Sequence, residues 1–187
     1  AALCERTAGL AFVSGGGLHE AAAHDDAQRT LAITLLRGFR RPVATDGQPG
    51  GQILGQHTFC YAIAPFDGPT DLPRLLALRD QLACGLRLRQ TGSGFGVDER
   101  EASLLSIEPA AVRLSALKPA ADGRGAILRL YNPLPADAQV RIRPAVKVRA
   151  AFVTNSLEED AAALSITRRQ IKLDVPAKKI VSLRLLI

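Results

Sequence analysis

The residues best suited to chemistry form a short polar stretch that begins at Gly17 and reads Gly-Leu-His-Glu-Ala-Ala-Ala-His. It comes close to the zinc-binding helix pattern H-E-x-x-H, but His19 and His24 are five residues apart rather than four. On a helix that spacing turns the chain by about 500°, so the two imidazoles would point about 140° apart. On a strand it would place them on opposite faces. The stretch is therefore predicted to hold exposed polar residues rather than a shared metal ion.

Two further patterns could suggest a binding site, but neither fits a known site motif. Residues 92–96 read Gly-Ser-Gly-Phe-Gly, which is neither the G-x-G-x-x-G phosphate loop nor placed between a strand and a helix. The acidic run at residues 158–160 could contact a cation, but it lies between two predicted strands and is interpreted as a solvated loop. A G-x-S-x-G nucleophile motif is missing from the sequence. The sequence thus predicts no catalytic centre in these 187 residues.

The charge distribution argues against nucleic acid as a partner. The formal net charge is +6, and residues 104–187 carry 14 basic and 7 acidic side chains. These basic residues are spread out, with no run of five, whereas nucleic-acid affinity depends on clustered phosphate contacts. The sequence contains no Trp and only two Tyr, so a base-stacking surface is not expected either. We predict a solvated basic face and no nucleic-acid partner.

The cysteines and the hydropathy bear on the cellular compartment. The sequence contains three cysteines, Cys4, Cys60 and Cys84, without a CxxC pair, so we expect core or strand thiols in a reducing compartment. No apolar run is long enough to span a bilayer, and no signal peptide is visible, so we predict a cytoplasmic protein without a membrane partner. The chain starts at Ala1 and lacks methionine, which indicates a processed or excised piece.

Three segments differ in their hydrophobic periodicity. Residues 1–67 read as strands broken by glycine-rich loops; a strand buried on both faces is predicted between Arg29 and Arg37, and a strand from His57 is expected to end at Pro65. Residues 68–103 contain a predicted helix at 71–84, capped by Asp71 or Thr70, and then a linker.

Residues 104–187 alternate apolar and polar side chains over several short runs, which predicts an antiparallel β-sandwich. The runs at 112–116 and 126–131 flank Asp122-Gly123 and are predicted to form a hairpin. In this pattern the outward positions are basic, so Arg184 is expected to face solvent beside Ser182. The predicted fold class is all-β, with antiparallel sandwiches and one short helix.

Four stretches together resemble a known family. They read GLAFVSGGGLHEAAAHDDAQRTLAITLLRGF (residues 9–39), GQHTFCYAIAP (55–65), LSIEPAAVRLSALKPAADGRGAILRLYNP (105–133) and LDVPAKKIVSLRL (173–185). The order of these stretches and their amino-acid sequences resemble the C-terminal β-rich region of the glycoside hydrolase family 38 α-mannosidases, particularly the bacterial type. The pieces at 17–20, 114–118 and 128–133 carry most of the resemblance.

The resemblance implies a zinc-dependent retaining enzyme that removes α-linked mannose with two carboxyl groups. In that family the carboxyl groups and the zinc ligands lie in an N-terminal catalytic barrel, which no part of this chain resembles. The resemblance therefore implies no catalytic residue, no cofactor and no metal in this chain, with zinc in the full-length enzyme. Residues 1–67 would be the tail of a galactose-mutarotase-like supersandwich, and residues 104–187 a smaller C-terminal sandwich.

The implied partners are the N-terminal catalytic domain of the same polypeptide and, through the full enzyme, an α-mannoside glycan. Apolar edges left by an incomplete first sandwich would pair with another copy or misfold, so a homo-oligomer is a further expectation. If residues of this chain contact sugar, we expect them to be His19, Glu20 and Arg37. Ala21 stands where the family leads us to expect an aromatic residue.

Two alternatives remain open on the sequence. A free-standing carbohydrate-binding β-sandwich would share the architecture but not the catalytic partner. A basic nucleic-acid-binding domain is the weaker of the two and would lose affinity steeply with salt.

Overall fold

The computed structural model describes residues 1–4, 7–16, 18, 20–39, 49–88, 90 and 103–187. The chain divides into two compact units, Ala1–Arg89 and Gln90–Ile187. Each consists mainly of antiparallel strands, and the described residues include one α-helix. This confirms the predicted all-β fold class with a single short helix. The assignment of the first unit to a supersandwich remains a prediction, as do the predicted domain boundaries at 67 and 103.

The first unit contains two small sheets and the helix. Its strands are β1 (Ala2–Cys4), β2 (Ala8–Gly16), β3 (Glu20–Ala23), β4 (Leu31–Thr34) and β5 (Cys60–Asp67), with a short 3-10 turn at Pro49–Gln52 and helix α1 at Leu72–Cys84. Strands β1, β2 and β5 form one sheet in that order, and β3 pairs with β4 in a separate hairpin.

Helix α1 begins and ends where local chemistry predicts. The carboxylate of Asp71 accepts a hydrogen bond from the amide of Arg74 at 3.1 Å, so Asp71 rather than Thr70 is the N-cap. Pro73 lies in the first turn, where its missing N–H costs no intrahelical bond. Gly85 follows the last turn with φ of 59°, and its amide donates to the carbonyl of Gln81.

Two strand predictions in this unit were wrong in part. Strand β5 runs through Pro65 to Asp67 instead of ending there, because β5 is an edge strand of its sheet and an edge tolerates a residue without an N–H. The run from Arg29 to Arg37 yields only the four residues of β4, and Ala32 is exposed. A two-stranded hairpin leaves both its faces accessible, so β4 is not buried on both faces.

The second unit is a sandwich of two antiparallel sheets. Its strands are β6 (Leu105–Glu108), β7 (Arg113–Pro119), β8 (Ala126–Tyr131), β9 (Ala138–Pro144), β10 (Ala150–Thr154), β11 (Asp160–Leu164), β12 (Ile166–Thr167), β13 (Gln170–Val175) and β14 (Ile180–Leu186). The five-stranded sheet has the order β11-β10-β14-β8-β7, and the four-stranded sheet has the order β12-β13-β9-β6. The predicted hairpin is β7–β8, with Asp122-Gly123 in its turn.

The sandwich core lies between the inner faces of these two sheets. Its buried members share an aliphatic character and are Val112, Leu128, Leu130, Ala138, Val140, Ile142, Ala151, Ile171, Val175, Leu183 and Leu185. On β9 the alternate residues Gln139, Arg141 and Arg143 are exposed, as the period-2 pattern predicted.

A buried asparagine ties one end of this sandwich together. Asn132 follows β8 and is 1% exposed. Its amide nitrogen donates to the carbonyls of Ala136 and Val175 at 2.8 and 3.0 Å, and its oxygen accepts from the amide of Leu134 at 3.0 Å. The side chain thereby satisfies backbone groups of the β8–β9 connection and of the last residue of β13.

Candidate functional site

The predicted sugar-contact residues belong to the first unit, and two of the three are described. Glu20 opens β3 and is exposed, and its Oε1 accepts a hydrogen bond from the hydroxyl of Thr34 on β4 at 3.3 Å. Arg37 follows β4 and is also exposed. His19 lies outside the described residues. The structure thus places Glu20 on a hairpin and leaves a sugar-binding role for these residues as a prediction.

The most elaborate polar cluster lies elsewhere, around Arg184 in the middle of the second unit. Leu183 and Leu185 on β14 face the sandwich core, so Arg184 between them lies on the opposite face of the five-stranded sheet. Its side chain is nevertheless only 3% exposed. The prediction that Arg184 and Ser182 face solvent was therefore wrong, and both residues are buried.

Arg184 is buried because two loops fold over that face and supply its hydrogen-bond acceptors. Its Nε donates to Asp160 at 2.7 Å, and Nη1 donates to Asp122 at 2.8 Å and to the carbonyl of Arg124 at 2.9 Å. Nη2 donates to the carbonyl of Glu158. One guanidinium thus joins the β7–β8 turn to the β10–β11 loop, and we call this set the Arg184 cluster.

Glu158 adds a second link between the β10–β11 loop and the β7–β8 hairpin. Its carboxylate accepts from the backbone amide of Ala121 at 2.8 Å and forms an ion pair with Lys118. The acidic run at residues 158–160, interpreted from the sequence as a solvated loop, is therefore part of an ion-pair network. Sequence reasoning missed it because no short-range pattern relates residue 184 to residue 122 or 160.

The electrostatics of the cluster keep the carboxyl groups of Asp122 and Glu158 ionised. The pKa of Asp122 is strongly lowered, first by the hydrogen bond from the Arg124 amide and then by the Arg184 guanidinium. The pKa of Glu158 is lowered by the Ala121 amide and by Lys118. The pKa of Arg184 is raised by Asp122 and Asp160. A general acid needs the opposite shift, so these carboxyl groups are suited to holding loops and not to protonating a leaving group.

A pocket of about 380 Å³ opens beside the cluster and is lined by Asp122, Arg124, Leu157, Glu159 and Asp160, among others. Several of its polar groups already have partners: Arg124 Nε donates to Asp122 at 2.9 Å, and Glu159 accepts a hydrogen bond from the neutral side chain of Asn155. Among the described residues, no group of three or more His, Cys, Asp or Glu is arranged to hold a metal ion. The described residues thus do not bring together a donor set for zinc.

The three cysteines lie at the surface of the first unit. Cys4, Cys60 and Cys84 are all exposed and form no disulfide, so the expectation of core thiols was wrong, although Cys4 and Cys60 do lie on strands. Among the helices that the structure describes, none has the length and apolar character to cross a membrane.

The second unit is, by its two packed antiparallel sheets, a β-sandwich domain, and its polar cluster joins the β7–β8 turn to the β10–β11 loop. Residues 111–183 match the family model of the glycosyl hydrolases family 38 C-terminal beta sandwich domain. Residues 111–183 are therefore similar to the C-terminal β-sandwich domain of that family, which confirms the resemblance over residues 111–133 and 173–183. No curated protein shows significant similarity to the chain. The resemblance within residues 9–39 and 55–65 lies outside the matched range and remains a prediction.

Proposed function

We propose that the chain is the non-catalytic C-terminal β-region of an α-mannosidase-like glycoside hydrolase. In such an enzyme it would brace the catalytic domain and wall the active-site cleft. The observation that carries the proposal is the family match over residues 111–183, because a C-terminal domain of this family implies a larger polypeptide with a catalytic domain. The mannoside specificity rests on the sequence resemblance alone.

The electrostatics of the Arg184 cluster support the non-catalytic part of the proposal. A retaining glycosidase pairs a carboxylate nucleophile with a carboxylic acid whose pKa is raised. Asp122 and Glu158 have lowered pKa values, and cations and backbone amides already occupy their oxygens. Zinc and the catalytic carboxyl groups are assigned by the resemblance to the catalytic domain, which is the proposed partner.

The more specific part of the proposal is that exposed residues of the first unit contact the sugar. The Glu20 carboxylate is exposed and bound to the protein by one 3.3 Å hydrogen bond, so it retains lone pairs for sugar hydroxyls. In the full-length enzyme, Glu20→Gln and Arg37→Ala would raise KM for an α-mannoside with little change in kcat. Thr30→Val serves as a control on the same hairpin, and unchanged KM in both variants would remove these residues from the sugar site.

The experiment that tests the main proposal uses the native polypeptide and the isolated chain in parallel. An antibody raised against these residues should detect, in source cells, a band several times larger than 19.9 kDa. The purified chain, with and without zinc, should not cleave an aryl α-mannoside. Enzyme-like cleavage by the chain alone would overturn the non-catalytic role. A native band near 19.9 kDa with saturable mannoside binding would instead support a free-standing carbohydrate-binding module.

A further inference from the structure

A second pocket, of about 310 Å³, opens at one end of the sandwich in the second unit. Its apolar lining comes from a connection and from the four-stranded sheet: Val146 and Val148 belong to the connection between β9 and β10, while Ile166 and Ile171 belong to β12 and β13. Ile171 is fully buried, whereas Val146 at the rim is 45% exposed. The pocket is thus an aliphatic cavity with an open mouth, continuous with the core below it.

Two cations stand at this pocket, Lys147 and Arg169. Both are exposed, and neither has a hydrogen bond or ion pair from its side chain to any residue that the structure describes. None of the described residues that line the pocket is acidic. Other cations of this unit differ: Arg141 and Arg143 share Glu108, and Arg184 is held by two aspartates, whereas the side chain of Arg149 has no partner among the described residues. The positive charge at this pocket is therefore uncompensated.

The backbone segments that carry the two cations are anchored. The segment that carries Lys147 is anchored at each end, because the amide of Ala145 donates to Leu104 at 3.0 Å and the amide of Arg149 donates to Leu186 at 2.7 Å. Arg169 lies in the two-residue turn between β12 and β13, where Arg168 and Arg169 have φ of 49° and 60°. Glycine and asparagine are the usual residues in such a turn. Two arginines in succession are therefore an unexpected choice on folding grounds alone.

We propose that this pocket is a docking site for an acidic peptide segment of a partner protein, with an aliphatic side chain in the cavity and a neighbouring Asp or Glu between Lys147 and Arg169. Charge complementarity selects a carboxylate, and the aliphatic floor selects a branched apolar side chain beside it. A nucleic acid is a poor fit because none of the described residues that line the pocket is aromatic and could stack a base. This inference is independent of the proposed mannosidase context.

The test is an NMR titration of the ¹⁵N-labelled 187-residue chain with the peptide acetyl-Leu-Glu-Leu-Glu-amide, with acetyl-Leu-Gln-Leu-Gln-amide as its neutral counterpart. We expect saturable shifts of the amides of Lys147, Val148 and Arg169 with the acidic peptide. The neutral peptide should bind at least about tenfold more weakly, which corresponds to one lost charged contact. Added salt should weaken the binding of the acidic peptide more than the binding of the neutral peptide.

Matched double variants identify the residues. Lys147→Ser with Arg169→Asn removes both pocket cations, and asparagine tolerates the positive φ at residue 169. Lys172→Ser with Arg168→Asn removes the same charge without touching a lining residue. We expect the first variant to lose binding by about tenfold or more and the second to stay within about twofold of the unmodified chain.

Five outcomes would overturn the proposal, of which the first four concern ligand binding. These are shifts outside the pocket, equal binding of the two peptides, equal loss in both double variants, and saturation by sodium acetate at the affinity of the peptide. Self-association of the chain that only the first double variant abolishes would also overturn it, because a second copy would then be the occupant.

Discussion

The Nε of Arg184 and the carboxylate of Asp160 lie 2.7 Å apart on the face of the five-stranded sheet that points away from the core. This pair fixes the start of β11 against β14, and the same guanidinium also holds Asp122 in the β7–β8 turn. A buried charge of this kind stabilises a fold only while its partners stay in place, since an unpaired partner keeps the desolvation cost without the attraction. The cluster therefore makes the second unit sensitive to single substitutions.

Removing the guanidinium should destabilise the fold more than removing an exposed one. We expect Arg184→Met to lower Tm by several degrees, because Asp122 and Asp160 would face each other without their shared cation. Arg149→Met is the matched control, since Arg149 is exposed and its side chain has no partner in the described structure. Adding Asp122→Asn and Asp160→Asn to Arg184→Met should recover part of the loss. Equal Tm values for the two single variants, by calorimetry, would show that the cluster is not stabilising.

Acid should weaken the second unit through Asp122 and Glu158. Their folded-state pKa values lie below the unfolded values of about 4, so their stabilising effect is complete above that pH and is lost as the pH falls through the folded-state values. Urea unfolding between pH 6 and pH 3 should therefore show declining stability below about pH 4. In Asp122→Asn the decline should be shallower than in the control Asp174→Asn. A parallel decline in both variants would contradict this account.

Asn132 and Asn155 both hydrogen-bond to the backbone, but only Asn132 is buried, so their substitution tests how burial affects the cost of losing such bonds. Asn132→Ala leaves the carbonyl of Val175 and the amide of Leu134 without their partner in a buried site, which should cost about 2–3 kcal/mol of unfolding free energy. Asn155→Ala removes hydrogen bonds to the amides of Leu157 and Glu159, but in an exposed loop where water replaces them. Its cost should be about 1 kcal/mol or less. Equal costs in urea unfolding would contradict the role of burial.

The two glycines of the β7–β8 turn should differ sharply on substitution. Both have positive φ, 75° at Gly123 and 79° at Gly125, so alanine is strained at each by about 1–2 kcal/mol. A Cβ at Gly123 would meet open space, whereas one at Gly125 would overlap the carbonyl oxygen of Leu185 on β14. We therefore expect Gly125→Ala to be clearly less stable than Gly123→Ala in the same unfolding assay. Similar losses would mean that only the backbone conformation matters.

Local signals in the sequence determined the individual elements. Asp71, Pro73 and Gly85 specify helix α1 through caps that involve only neighbouring residues, and Asp122-Gly123 specifies the turn of the β7–β8 hairpin. Period-2 alternation correctly identified the inward residues of β9, because one face of that strand is buried and the other is wet. These features depend on contacts a few residues apart, which a single sequence displays directly.

The tertiary structure alone decided which faces are covered. Alternation indicated that Ser182 and Arg184 share a face, but that face is buried by loops from positions 24 and 62 residues away in sequence. Tertiary structure also decided the length of β5, because its edge position lets the strand continue through Pro65. It likewise decided the exposure of β4, because a two-stranded hairpin leaves both faces of that strand accessible. Burial of a sheet face depends on what packs over it, and long-range packing leaves no periodic trace in the strand itself.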